Sequence, residues 1–146
     1  MKKDSEQNRR IEILTKKMDL FQELLDITKK QTQWIENKDW DRLNNAINAK
    51  QTRIDKIDSL NILFNRITQA ENDVKTIEQI EDMNREIELI GKEIVEIEQS
   101  NIKKVNQAKK LIKMELKEIQ AQKKINTAYS DESLNDQGGQ YIDKLK

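Results

Sequence analysis

Apolar residues recur three and four positions apart along most of the chain, in polar surroundings, which is the spacing of one face of an α-helix. The first set is Ile11, Leu14, Met18, Phe21 and Leu25, with Ile13, Leu20, Leu24, Ile27 and Trp34 beside it. Together they make a face wide enough to touch two neighbours, so this helix belongs to a bundle. Asp4 or Ser5 is suited to cap its start. The rhythm stops at the turn-forming run Asn37-Lys38-Asp39, where Asp39 can accept the first amides of a new helix and Asp41 favours its positive end. The second set is Leu43, Ile47, Ile54, Ile57, Leu60, Phe64 and Ile67, with Lys50 in the seam, its stem packed and its ammonium reaching outward. After a connection at 70–75, Thr76 and Gln79 match a capping box. Met83, Ile87, Ile90, Ile94 and Ile97 then keep the rhythm, and Asn101, Val105, Ala108, Ile112, Leu116 and Ile119 extend it with irregular steps. Asn101 reads as a polar residue that sets register. Gly91, the one glycine between residues 5 and 125, reads as a tolerated or closely packed helical glycine or as a hinge.

The pattern predicts an all-α fold: an elongated antiparallel three-helix bundle or coiled coil with helices at about 5–36, 39–69 and 76–124, and a flexible tail over 127–146. Two helices of about 30 residues span roughly 45 Å, whereas about 48 residues span roughly 70 Å. An up-down-up arrangement therefore leaves the third helix overhanging from about Ala108. The expected binding surface for a partner is Ala108, Leu111, Ile112, Met114, Leu116 and Ile119, which lack cover in that arrangement. Charge favours the first and third helices side by side and parallel, because residues 71–98 hold ten acidic and three basic residues while residues 1–18 hold six basic and three acidic. Exposed pairs of this kind help choose register and add little stability.

Composition narrows the function classes. At 146 residues with 35% hydrophobic and 4% aromatic content, one slender domain is expected rather than a thick globule. The 27 basic and 27 acidic residues balance, which argues against a nucleic-acid partner. Without cysteine or histidine the chain has no disulfide, thiol chemistry or imidazole, and zinc sites and Cys- or His-based triads are excluded. No cofactor is expected. Carboxylate pairs at Glu81-Asp82 and at Glu86 with Glu88 arise naturally in a charge-rich helix, so no enzyme activity is expected. No run of apolar residues suits a leader or a membrane span, and a cytoplasmic protein without stable membrane insertion is the natural reading. Residues 102–125 carry eight lysines against Glu115 and Glu118, either a solvated face, a basic strip that receives an acidic amphipathic helix, or a membrane-facing surface. Trp34 and Trp40 flank the first turn, bracing it or forming a contact patch. In the polar tail, Tyr129, Tyr141 and Ile142 stand out as candidate recognition or self-shielding residues.

The order of segments, with Gln33-Trp34-Ile35, Asn37-Lys38-Asp39-Trp40-Asp41-Arg42-Leu43, Lys50-Gln51-Thr52-Arg53-Ile54 and Ile57-Asp58-Ser59-Leu60, resembles that of FlgN-type flagellar export chaperones. So does the ending, a long third helix closing in Lys123-Lys124-Ile125-Asn126-Thr127-Ala128-Tyr129 and then Gly139-Gln140-Tyr141-Ile142-Asp143-Lys144. The resemblance covers most of the chain. It implies a bacterial cytoplasmic chaperone, without enzymatic activity, that holds hook-filament junction proteins and delivers them to the flagellar type III export gate. It also implies client binding on the C-terminal part of the third helix, where the helix lengths leave apolar residues uncovered. A monomer or weak homodimer is expected. The alternative is a coiled-coil scaffold or self-associating adaptor without a flagellar client.

Overall fold

The computed structural model describes residues 2–67 and 74–129, with side chains from Asn8 onward. Three helices account for nearly all of them: α1 (Lys2–Glu36), α2 (Trp40–Arg66) and α3 (Val74–Tyr129). Among the described residues there is no strand. The chain divides into two compact units, Met1–Lys104 and Val105–Lys146.

In the first unit, Leu24 and Leu25 of α1, Ile57 of α2 and Ile94 of α3 form a shared core, with Leu20, Phe21, Ile90 and Ile97 packed against it. Cross-helix contacts give the directions. Arg10 meets Ile67, Glu23 meets Arg53 and Gln31 meets Lys50, so α1 and α2 are antiparallel. Lys29 pairs with Glu93 at 3.7 Å and Glu36 with Lys104 at 2.9 Å, so α1 and α3 are parallel, as the segregated charges suggested. Among the described helices, backbones approach closely mostly between α1 and α2, and α3 joins them through side-chain contacts such as Thr32–Asn101 and Lys50–Glu98.

The hairpin turn follows from local chemistry. Lys38 adopts φ 58°, the left-handed conformation that closes many helices. Its amide donates to the carbonyl of Ile35 at 3.1 Å and that of Asp39 to the carbonyl of Trp34 at 2.8 Å, the bond pair of a Schellman turn. Asp39 then caps α2, Oδ1 accepting from the amide of Arg42 at 3.3 Å, with Asp41 in the first turn. Trp34 and Trp40 are half-buried on either side of the turn.

Several expectations need correction. Asp4 and Ser5 lie inside α1, which is already helical at Lys2, and Thr76 lies inside α3, which is helical from Val74. Thr76 is buried rather than placed as a first cap. At the other end, α3 continues through Thr127, Ala128 and Tyr129, beyond the limit set by the apolar rhythm. A helix needs no apolar face to persist, and Thr127 Oγ1 bonds back to the carbonyl of Lys123 at 2.7 Å. The remainder of the expected tail, including Tyr141 and Ile142, lies outside the described residues. On α2, Ile47 and Ile54 are exposed, and Ala46 takes the buried seam position.

Lys50 also departs from expectation. Its side chain is only 12% exposed, and its ammonium donates to Gln31 Oε1 at 3.0 Å and Glu98 Oε1 at 2.5 Å. It thus ties all three helices together. Next to it, Asn101 is buried, accepting from Thr32 Oγ1 at 2.7 Å and donating to the Thr28 carbonyl at 3.3 Å. The seam position read as register-setting thus makes a polar contact between α3 and α1.

Candidate functional site

Along α3, the core-facing positions 76, 80, 83, 87, 90, 94 and 97 alternate steps of four and three, the heptad spacing that keeps one seam on a partner. Beyond Ile97 the seam runs through Asn101, Val105, Ala108, Ile112, Leu116 and Ile119, with steps of four, four and three repeated. That is an eleven-residue repeat, which tracks a straight helix more closely than a heptad does. The irregular steps of the sequence are this change of period.

In the second unit, Ala108, Ile112, Leu116 and Ile119 fall within about 80° of the helix circumference, at about 100° per residue. Ala108 is half-buried, while Ile112, Leu116 and Ile119 are 45%, 50% and 45% exposed. Leu111 sits about a quarter turn away and Met114 nearly opposite, both exposed. The six expected residues therefore make one stripe of four with two outliers. Apolar side chains at i, i+4, i+8 and i+11 on one stripe, the last three of them exposed, suit a helix face to receive another amphipathic helix. Tyr129, at the end of α3, is 88% exposed.

The charges around this stripe are sorted in a way that the net excess of lysine does not reveal. Lys109 and Lys113 follow one edge, with Lys117 behind them; Glu115 lies along the other, with Glu118 farther round. Between residues 105 and 122, every charged pair at helical-neighbour spacing has like sign: Lys109 with Lys113, Lys110 with Lys113, Lys113 with Lys117, and Glu115 with Glu118. Each such pair costs a helix about 0.2–0.5 kcal/mol. The first unit differs, for Asp82 pairs with Arg85 within α3, and Glu23, Glu36, Glu93 and Glu98 pair across helices. Counting opposite-sign neighbours along the sequence would have shown this contrast.

A second apolar opening, of about 680 Å³, lies in the first unit, lined by Phe21, Leu24, Ile54, Gly91 and Val95 among others. The Lys50–Glu98 bridge also lines it. Among the described residues, no helix is long and apolar enough to cross a membrane.

The fold and the open stripe define an all-α helical-bundle protein whose third helix presents an apolar, charge-edged face to solvent. The chain belongs to the FlgN family: the family model described as FlgN protein matches residues 1–136. The FlgN family is a family of flagellar chaperones. No curated protein and no solved structure matches the chain.

Proposed function

We propose that this protein is a cytoplasmic flagellar type III export chaperone that binds hook-filament junction proteins through α3 and delivers them to the export gate. The observation that carries the reading is the stripe of Ile112, Leu116 and Ile119, exposed on a chain of the FlgN family. A chaperone needs an apolar surface available to a client segment, and these side chains supply one. Leu111 and Met114 extend the contact if the client wraps round the helix. In the same reading, Tyr129, Tyr141 and Ile142 compete with the client for the stripe or contact the gate, so that loading is coupled to delivery.

The test is co-purification with a hook-filament junction protein. Replacing Leu111, Ile112, Leu116 and Ile119 with serine should abolish capture while the far-ultraviolet circular dichroism spectrum stays helical. Capture that is unchanged by the substitutions would rule out the stripe. Removing residues 131–146 should raise client affinity if the tail competes, and indifference of both affinity and export would leave the tail without that role.

A further inference from the structure

A free helix is stabilised by opposite charges three and four residues apart, yet the stretch carrying the open stripe has only like-signed neighbours there. The same residues make good sense if the missing opposite charges come from outside the helix. Lys109 and Lys113 line one edge of the stripe and Glu115 the other, so a helix laid along Ile112 and Leu116 meets a basic pair on one side and a carboxylate on the other.

Resting on the client-binding reading above, we infer that the occupant of this stripe is an amphipathic client helix with one acidic and one basic edge, and that these edges fix its chain direction. The apolar stripe alone accepts a helix running either way, because burial is non-directional. Reversing the occupant exchanges its two edges. In one direction its carboxylates face Lys109 and Lys113 and its cations face Glu115; in the other, all three contacts become repulsive. Discrimination therefore comes from repulsion in the wrong direction as much as from attraction in the right one.

A second copy of this chain satisfies the edges in one of its two directions. Parallel copies would set the lysine edge against the glutamate edge, but antiparallel copies would oppose like charges. Self-association is accordingly one outcome of the test.

The absence of cysteine lets a single probe be placed on the full-length chain at Gln107→Cys, which is exposed and lies off the stripe. The partner is a designed helical peptide of about 20 residues with apolar residues at steps of four, four and three, one glutamate edge and one lysine edge. A nitroxide at position 107 should broaden the resonances of only one end of the bound peptide. The exchange variant K109E/K113E/E115K/E118K should broaden the other end. A peptide of the same composition with charges mixed on both edges should bind about tenfold more weakly, and 0.5 M salt should erase the difference.

If the peptide binds and the broadened end is the same in both proteins, or both ends broaden equally, the direction rule is overturned while the stripe stands. If an I112S/L116S variant binds the peptide as well as the parent does, the stripe itself is ruled out and the client-binding reading falls with it. Sedimentation equilibrium that shows the parent chain dimeric, and I112S/L116S monomeric, assigns the stripe to a second copy and overturns the proposal.

Discussion

The amide of Asn101 sits against the first helix with its oxygen 2.7 Å from Thr32 Oγ1 and its nitrogen 3.3 Å from the carbonyl of Thr28. Thr28 is fully buried, its own hydroxyl donating to the Leu24 carbonyl at 2.7 Å. Sliding α3 by one turn along α1 would take the buried Asn101 amide away from these partners, at a cost of about 1–3 kcal/mol for each of its groups left unpaired. Register between the two parallel helices is thus specified by a polar contact that an apolar seam alone does not supply.

A double-mutant cycle built from Thr32→Val and Asn101→Leu should return a coupling energy of about 1 kcal/mol in urea titrations. Strict additivity of the two single changes would remove the direct bond from the account of register.

The bridge at Lys50 gives an asymmetric expectation. Lys50→Met keeps the packed stem and removes the charge, and should change stability by less than about 1 kcal/mol. Glu98→Ala leaves the ammonium held by Gln31 alone and should cost about 1–3 kcal/mol. Thermal or denaturant unfolding checks both, and a larger loss for Lys50→Met than for Glu98→Ala would contradict the assignment.

Gly91→Ala should stabilise the protein. A Cβ at this position would meet Phe21 Cε1 at 3.7 Å, an ordinary van der Waals separation, so the packing does not demand glycine. Helix propensity then predicts a gain of about 1 kcal/mol, read as a higher midpoint in urea. A gain in stability accompanied by loss of client export would mark the position as a hinge.

Lys38→Gly should likewise stabilise, by about 0.5–1 kcal/mol, because the left-handed conformation at φ 58° carries a Cβ penalty that glycine lacks. Lys38→Val should do the opposite. Equal midpoints for the two variants would show that the turn relaxes freely.

Spacing was enough to reveal the three helices, the turn at Asn37-Lys38-Asp39 and the parallel pairing of α1 with α3, because each rests on local propensity or on charge blocks visible along the chain. The side of α2 that faces the core was harder to read. Ile47 and Ile54 share the seven-residue spacing of a seam, but it is small Ala46 that is buried while those isoleucines are exposed. Arg10 was missed altogether: it is buried, donates to the Ile67 carbonyl at 3.0 Å and lies over the Phe64 ring at 5.4 Å. A charged residue that closes another helix's end makes no periodic pattern. The expected partner-binding residues come from the sequence, whereas their sorting into a stripe with opposite-sign edges depends on the eleven-residue step of α3.

The short connection between α1 and α2 carries a kinetic consequence. A three-residue turn closes the hairpin with a small loss of loop entropy, whereas seating α3 beside α1 joins residues about 68 positions apart, as Glu36 and Lys104 show. The hairpin is therefore the early-forming part of the bundle, and release of α3 is its least costly partial opening. Amide hydrogens at the centre of α1 and α2 should outlast those of α3 in deuterium exchange, leaving the helix that carries the proposed docking face as the one most readily remodelled.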